Sequence, residues 1–396
     1  MDKCRILELK KLYEDELFTS VVPFWTKFAP DWECGGLFNY VDRDGSLLST
    51  DKSGWFQGRG TWCFARLYND FGRKEEWLDI ARLGYEFIVK RCFDNDGRMF
   101  FEITRDGKPL RKRRYWFAEA FAVMAMAEYY RASGDKDALN RAKELYSKIL
   151  GYYDHSDPDL FPPKYISDNY KAKSHNYRMI LISTSQVLRD AEYQALYDQT
   201  IDRVTEELFD DFVKEDIRAL MEVVRPDGNL IDTPAGRRLN PGHALETAWF
   251  LLIEGERRKN GEVVKKALDI IEWSIERGWD ENYGGIFNYV DLDGKPSDKI
   301  EWDMKYWWTH CEALIATLLA FQLSKDTKFE TMFNKIHEYT FKHFPDREYG
   351  EWYGYLHRDG SICLPVKGTL FKGPFHTPRF LMYGIKILEK MSSDNG

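Results

Sequence analysis

Apolar and polar residues alternate along the chain in long blocks. Six segments rich in small and apolar residues are hydrophobic around most of a helical circumference, which predicts helices buried on several sides. Their starts lie about 60 to 67 residues apart, so one unit is predicted to repeat along the chain. The segments begin near Trp55, Trp116, Asn176, Gly242, Trp308 and Phe375.

Six more polar helices are predicted between these segments, with their apolar residues on one face only. In residues 138–150 the apolar positions recur with a period of about 3.6 residues, as in an amphipathic helix that lies on a core. That stripe consists of Leu139, Ala142, Leu145, Tyr146 and Ile149. The six predicted helices cover residues 5–20, 74–92, 136–152, 193–214, 260–277 and 326–343.

Loops that end in Asp-Gly recur before the buried helices. The segment 35–45 is repeated at 284–294 with nine of eleven positions identical, and weaker relatives end at Gly97, Gly107 and Gly360. Glycine accepts positive φ and aspartate bonds its own backbone, so this pair favours tight turns. The loops are therefore predicted to be short β-hairpins.

Strict alternation of six buried and six amphipathic helices predicts an all-α fold, a closed (α/α)6 barrel with an inner and an outer ring, as a single domain over residues 1–396. An open solenoid would have the same repeat. Closure is favoured because an open array would leave the apolar faces of its end helices in water. In a closed ring the hairpin loops lie on one face, and the first turns of the inner helices converge on a central pocket.

Composition narrows the classes of function. The formal net charge is −8, and the basic run at residues 111–114 is interpreted as a solvated loop, so no nucleic-acid partner is expected. The six cysteines form no CxxC pair that would indicate a zinc or redox site. Neither a secretory leader nor a membrane-spanning stretch is recognised, so a cytoplasmic protein without a membrane partner is expected. Aromatic residues make up 16%, which fits a thick core or a sugar-stacking pocket.

Polar residues in the first turns of the inner helices are the candidate functional groups. Arg59 lies among aromatic residues, where an unpaired cation is costly, so it is either part of a structural ion pair or a clamp for a substrate oxygen. His243 and Glu246 are three residues apart and share a helix face. A carboxylate at that spacing could orient the imidazole. A histidine buried in an apolar core is the alternative.

The last two inner helices carry related groups. Glu312 precedes a strongly apolar run and is expected either to face the pocket or to stabilise the helix N-terminus. His376 and Arg379 are again three residues apart, and Lys372 lies in the loop before them. Two histidines that face one cavity would suit proton transfer at a single carbon, because imidazole titrates near neutrality and serves as acid or base.

Four of these segments resemble the N-acylglucosamine 2-epimerase family: 55–59, 239–246, 307–314 and 371–379, together with the loop 354–360. The resemblance implies an (α/α)6 barrel in which His243 and His376 move the proton at carbon 2 of an open-chain sugar, with an enolate stabilised near Arg59. It assigns substrate-binding or supporting roles to Arg59, Glu246, Glu312, Arg379, Trp308 and Lys372. It implies no metal and no required cofactor, with ATP as an activator that is not consumed, and a homodimer.

Departures from the family pattern narrow the substrate. Cellobiose epimerases and mannose isomerases carry a third histidine on the third inner helix, where Ile180 stands here, and His175 lies out of register. N-acylglucosamine 2-epimerases also lack that histidine, so interconversion of N-acetyl-D-glucosamine and N-acetyl-D-mannosamine is expected, with a mannose or cellobiose enzyme as the alternative. A glycoside hydrolase that uses Glu119, Glu246 or Glu312, and a sugar-binding protein without activity, are the other hypotheses.

Overall fold

Helices dominate the computed structural model, which describes residues 1–113, 115–155, 161 and 171–394, without the side chain of residue 394. Arg114, at the end of the basic run, lies outside these residues. The inner helices are α3 (Gly54–Asp70), α5 (Phe117–Ser133), α7 (Asn176–Ala191), α10 (Pro241–Arg258), α12 (Trp307–Ser324) and α14 (His376–Asp394). The outer helices are α1 (Lys3–Glu16), α4 (Glu75–Arg91), α6 (Lys136–Asp154), α8 (Ala195–Glu207), α11 (Gly261–Gly278) and α13 (Thr327–His343). Two shorter helices are α2 (Val22–Phe28) and α9 (Pro234–Arg237).

The inner helices form a closed ring. Each packs against the next from α3 to α14, and each also packs against one outer helix. The last inner helix, α14, packs against α1, so the chain returns to its start. Phe375, directly before α14, meets Trp62 of α3 edge-on with ring centroids 5.2 Å apart. The predicted (α/α)6 barrel is therefore confirmed and the open solenoid is excluded. None of the helices in the described ranges is both long and apolar enough to cross a bilayer.

Two outer helices continue into a π-helical turn, at residues 17–21 after α1 and at 208–212 after α8. The fourth outer helix was expected to reach residue 214, but α8 ends at Glu207. The wider π turn keeps Leu208 and Phe212 both fully buried. The chain then turns into a strand, which ends the helical pattern.

Short antiparallel strands form the predicted hairpins at the ends where the inner helices begin. They are β1 (Tyr40–Val41), β2 (Leu47–Ser49), β3 (Lys52–Ser53), β4 (Glu102–Ile103), β5 (Pro109–Arg111), β6 (Lys173–Ser174), β7 (Val213–Lys214), β8 (Ala219–Leu220), β9 (Val223–Val224), β10 (Arg238–Leu239), β11 (Val290–Asp291), β12 (Lys305–Tyr306), β13 (Tyr355–Leu356) and β14 (Ile362–Leu364). β3 pairs with β4, and β12 with β13, so strands from neighbouring repeats are joined. The turn residues Gly45 and Gly294 have φ of 91° and 73°, which explains the glycine there.

Three buried ion triads tie neighbouring repeats together. Each contains an aspartate that follows an outer helix, a lysine that precedes the next inner helix and an arginine from an adjacent hairpin. The triads are Asp31–Lys52–Arg105, Asp280–Lys305–Arg358 and Asp346–Lys367–Arg43, with lysine–aspartate distances of 2.7, 3.1 and 2.9 Å and an arginine–aspartate distance of 2.8 Å in each. Because Arg43 belongs to the first repeat and Lys367 to the last, the third triad lies at the seam that closes the ring.

We expect Asp346→Asn to lower the free energy of unfolding by about 3–5 kcal/mol, because it leaves the buried ammonium of Lys367 without its carboxylate. Glu348→Gln is the matched control. Glu348 is 63% exposed and binds the same Arg43 at 2.9 Å, so its loss should cost about 1 kcal/mol or less. Urea denaturation at pH 7 measures both, and equal losses would contradict a special role for the buried triad.

The difference in unfolding free energy between the parent protein and Asp346→Asn should also depend on pH. Burial alone would raise the pKa of Asp346, but hydrogen bonds from Arg43 and Lys367 outweigh it and hold the pKa well below its ordinary value. A depressed carboxyl pKa contributes stability above the unfolded pKa of about 3.9, and that stability is lost as the pH falls through the folded pKa. The gap between the parent protein and Asp346→Asn is therefore expected to narrow below about pH 4.

Candidate active site

The first turn of α10 presents His243 to the centre of the ring. Asn240 caps the helix by accepting a hydrogen bond from the His243 backbone N–H at 3.1 Å. Pro241 then supplies a backbone angle suited to the first helical position. The His243 side chain is 26% exposed, and its Nδ1 lies 2.9 Å from Oε1 of Glu222. With Nδ1–H donated to that carboxylate, Nε2 is left to face a substrate.

His376 begins α14 and is held in a similar way. Its Nδ1 lies 2.7 Å from Oε1 of Glu312 on the neighbouring helix α12. The other oxygen of Glu312 accepts the indole N–H of Trp249 at 2.8 Å, so the carboxylate is fixed from both sides. His376 is 5% exposed, so it lies deeper in the ring than His243.

The indole of Trp308 contacts both imidazoles. Its ring centroid is 5.3 Å from that of His243 and 5.7 Å from that of His376. The two imidazoles are therefore no farther apart than the sum of these distances, and both can reach one hexose. Gly242 permits the approach, because a β-carbon there would lie 2.4 Å from the Trp308 indole.

Glu246 does not orient His243, although the two share a face of α10. It accepts a hydrogen bond from Arg379, whose guanidinium also lies 2.7 Å from Glu312. The helix α14 brings this cation into the ring, and a charged donor is a stronger partner for a buried carboxylate than a neutral imidazole. Glu246, Glu312 and His376 also offer three metal-ligand atoms within 4.8 Å of one another. Arg379 already supplies the positive charge at that place.

The two imidazoles have opposite preferences for a proton. Burial lowers the pKa of His376 far below its ordinary value, and the cations Arg59 and Arg379 lower it further. Burial also opposes a charge on His243, but the carboxylate of Glu222 outweighs this and raises the pKa. His376 is therefore a neutral base at neutral pH, whereas His243 holds a proton more readily than a free imidazole and is suited to act as the acid. Such a divergence is typical of an acid–base pair.

Arg59 lies in an aromatic frame at this site. Its guanidinium carbon is 4.9, 4.3 and 4.8 Å from the ring centroids of Trp55, Phe121 and Phe375. One N–H donates to the Phe371 carbonyl oxygen at 3.1 Å, and no carboxylate of the described residues forms a salt bridge with it. Burial lowers the pKa of Arg59 to about 9, so it stays cationic at pH 7. Its remaining N–H groups can bind a substrate oxygen.

Two residues considered from the sequence are held in structural ion pairs. Lys372 is fully buried, and its Nζ binds Glu351 at 3.1 Å and the Lys367 carbonyl oxygen at 3.0 Å. These contacts fit the supporting role that the resemblance implies for Lys372, in which it holds the loop before α14. Glu119, considered for a hydrolase, is buried against Nε of Arg98 at 2.6 Å.

Glu222 and His175 were not among the predicted site residues. Oε2 of Glu222 lies 3.3 Å from Nδ1 of His175, so one carboxylate faces two imidazoles. A signal for Glu222 exists in the hairpin repeat: the residue six positions before the turn glycine is asparagine in 39–45 and 288–294 and Glu222 in 222–228. Asn39 accepts a hydrogen bond from the backbone of Ser53, directly before an inner helix, so this position faces a first turn. His175 has no such signal, and its place follows from the pairing of β6 with β9.

We expect Glu222→Gln to lower the pKa of His243, because it removes the charge that favours the imidazolium. The protonated form of His243 would then be lost at a lower pH. NMR titration of the imidazole Cε1–H measures the pKa directly. Glu215→Gln is the control, since that side chain is 68% exposed on the same segment. An unchanged His243 pKa in Glu222→Gln would refute the electrostatic role.

Comparisons with known proteins agree with this geometry. The family model for N-acylglucosamine 2-epimerase (GlcNAc 2-epimerase) matches residues 36–373. The N-acylglucosamine 2-epimerase of Mus musculus is 36% identical over 96% of this chain and 91% of its own length, and the cellobiose 2-epimerase of Dictyoglomus turgidum is 26% identical over 96% and 98%. The solved cellobiose 2-epimerase from Bacillus thermoamylovorans shares the fold, with a TM-score of 0.83 at 24% identity over 95% of this chain and 98% of that one. Since the family match runs from the first hairpin to the loop before His376, this chain belongs to the N-acylglucosamine 2-epimerase family of carbohydrate epimerases.

Proposed function

We propose that this protein interconverts N-acetyl-D-glucosamine and N-acetyl-D-mannosamine by moving the proton at carbon 2 of the open-chain sugar. The observation that carries the proposal is the pair His243 and His376. Both contact Trp308, both have Nδ1 on a carboxylate, and they hold protons with opposite preference. The higher identity to the mouse enzyme than to the cellobiose enzyme, and Ile180 in place of a third histidine, support the N-acetyl sugars as substrates.

The proton transfer follows from the hydrogen-bond partners. Neutral His376 donates Nδ1–H to Glu312, so its Nε2 lone pair accepts the proton from carbon 2. The C–H electron pair forms the bond between carbons 1 and 2, and negative charge moves to oxygen 1. Protonated His243 then delivers its Nε2 proton to the opposite face of carbon 2, and the carbonyl re-forms. The configuration is inverted, and the reverse reaction uses the same groups in exchanged roles.

Arg59 is the group we propose for the enolate oxygen. It is cationic, surrounded by aromatic rings, and committed to one backbone carbonyl in the described part of the chain. In such a low-dielectric setting, a donor aimed at developing negative charge lowers the barrier more than it would in water. Arg379 is less suited, because it already binds Glu246 and Glu312.

A glycoside hydrolase on the same ring accounts less well for these contacts. That chemistry needs an acid and a second carboxylate on either side of a glycosidic bond. Glu246 and Glu312 instead share Arg379, and Glu119 is bound to Arg98. Two histidines at the centre would also have no task in hydrolysis.

Three further properties are proposed, the first two from the family resemblance and the third from the sequence. ATP would act as an activator that is not consumed, with no other cofactor required. The protein would form a homodimer, and it would reside in the cytoplasm. Activity with and without ATP and the mass in solution by light scattering test the first two.

The test of the reaction is proton NMR in heavy water with N-acetylglucosamine, N-acetylmannosamine, mannose and cellobiose. We expect deuterium at carbon 2 of both N-acetyl sugars and their interconversion. Exchange confined to mannose or cellobiose would contradict the proposed substrate but not the proposed proton transfer. Exchange in none of the four sugars would remove the proposed function.

The same assay distinguishes the roles of His243 and His376. His243→Asn and His376→Asn are each expected to lower interconversion by about 10²–10⁴-fold, because each removes one half of the proton transfer. Each variant should still exchange the carbon-2 proton of one epimer, and the two variants should retain opposite epimers. His357→Asn, at an exposed histidine in a hairpin turn, is the control. Retention of exchange on the same epimer by both variants would contradict the two-base scheme.

A further inference from the structure

His175 is buried beside the site although the proton transfer described above does not use it. The residue directly precedes α7 and is 1% exposed. Its Nδ1 lies 3.3 Å from Oε2 of Glu222, and its Nε2 lies 3.1 Å from Oγ1 of Thr247. Its backbone N–H donates to the Glu222 carbonyl oxygen at 3.1 Å, which fixes the two residues relative to each other. Thr247 follows His243 by one turn of α10, so His175 connects Glu222 with the helix that carries His243.

One carboxylate has to serve two imidazoles here. The ring centroids of His175 and His243 are 5.9 Å apart, and two buried cations at that distance would repel each other strongly. Glu222 is therefore able to stabilise one imidazolium. The other titratable groups that act on His243 are Glu246, Arg59 and His376.

The geometry gives the charge to His243. Its Nδ1 is closer to Glu222, at 2.9 Å against 3.3 Å, and its side chain is 26% exposed against 1% for His175. A neutral His175 with its proton on Nδ1 leaves Nε2 able to accept a hydrogen bond from the Thr247 hydroxyl and places the Nδ1–H beside Glu222. The contact of Nδ1 with Glu222 is long and poorly aligned for a hydrogen bond. His175 thus supports the carboxylate by its dipole and its shape rather than as an ion.

We propose that His175 is a positioning residue for the carbon-2 proton transfer: its neutral imidazole holds the Glu222 carboxylate against His243, so that the acid keeps its proton. The kinetic part of this inference rests on the proposed function. The part that concerns which ring nitrogen of His175 carries the proton does not rest on it, and it can be measured on the protein without substrate.

The first test is ¹⁵N NMR of the full chain labelled at histidine, between pH 6 and 8, with assignments from His175→Asn and His243→Asn. We expect neutral His175 to carry its proton on Nδ1, and we expect His243 to be the imidazole of the two that takes up the second proton. A doubly protonated His175, or a proton on Nε2 alone, would overturn the proposal. Because this measurement needs no turnover, it decides the matter even if none of the four sugars reacts.

The second test compares two variants of His175 in the carbon-2 exchange assay. His175→Asn keeps an N–H donor near the position of Nδ1, whereas His175→Leu removes it. For the leucine variant we expect kcat to fall about tenfold with KM within about twofold, and the alkaline limb of the kcat profile to move to lower pH, because a displaced Glu222 no longer supports protonated His243. The asparagine variant should keep the alkaline limb of the kcat profile at the pH found for the parent protein.

If the two variants have the same kcat and the same pH profile, His175 only fills space. An unchanged alkaline limb of the kcat profile in the leucine variant would show the same. Circular dichroism and the thermal midpoint of each variant establish that it is folded. If His175→Leu does not fold, the comparison of the asparagine variant with the parent limb and the ¹⁵N tautomer still decide the proposal.

Discussion

A charge buried in this ring is costly unless a partner inside the ring offsets the lost solvation. The three aspartate–lysine–arginine triads meet this constraint at the hairpins. For Lys305 the cost is visible even with Asp280 in contact, since burial lowers the pKa of the lysine to about 8. The imidazole–carboxylate pairs in the centre meet the same constraint. Stability and chemistry therefore depend on the same kind of contact, a buried carboxylate paired with a cationic or imidazole group. The triads place it at the hairpins, and the histidine pairs place it at the first turns of inner helices.

The difference between the two histidines comes from the deeper burial of His376 and from two arginines, Arg59 and Arg379, that oppose its charge. Each imidazole places Nδ1 on a carboxylate, and that contact alone would raise the pKa of both. Glu222 has no arginine partner among the described residues, so its charge acts on His243. Glu312 shares its charge with Arg379, and Arg379 lies 3.3 Å from Nδ1 of His376. The same local pair thus yields an acid on α10 and a base on α14, without any difference in the residues that carry the proton.

The hydrophobic pattern was sufficient to predict the ring, because burial on several sides is a property of each helix by itself. The two histidines were predictable for the same reason: a polar residue in the first turn of an otherwise apolar helix faces the pocket. Their partners were not. His376 and Glu312 are 64 residues apart, and Glu246 and Arg379 are 133 apart. A spacing of three residues favours contacts within a helix, and Arg379 does lie 3.3 Å from Nδ1 of His376. His243 and Glu246, however, each pair with a residue of another element. The partner of Lys372 was not predictable either, because Glu351 belongs to a different hairpin loop.

Glu351 links the closure of the ring to the position of His376, the base. It stands where the repeated hairpins have a second glycine, and it adopts the left-handed backbone, with φ of 55°, that those glycines adopt at 75° and 73°. Such a conformation costs a non-glycine residue about 1–2 kcal/mol. The carboxylate offsets this cost by accepting hydrogen bonds from Trp25 of the first repeat at 2.6 Å and from Lys372 of the last at 3.1 Å. Lys372 lies four residues before His376, so the contact that joins the two ends of the chain also fixes the loop from which the base enters the pocket.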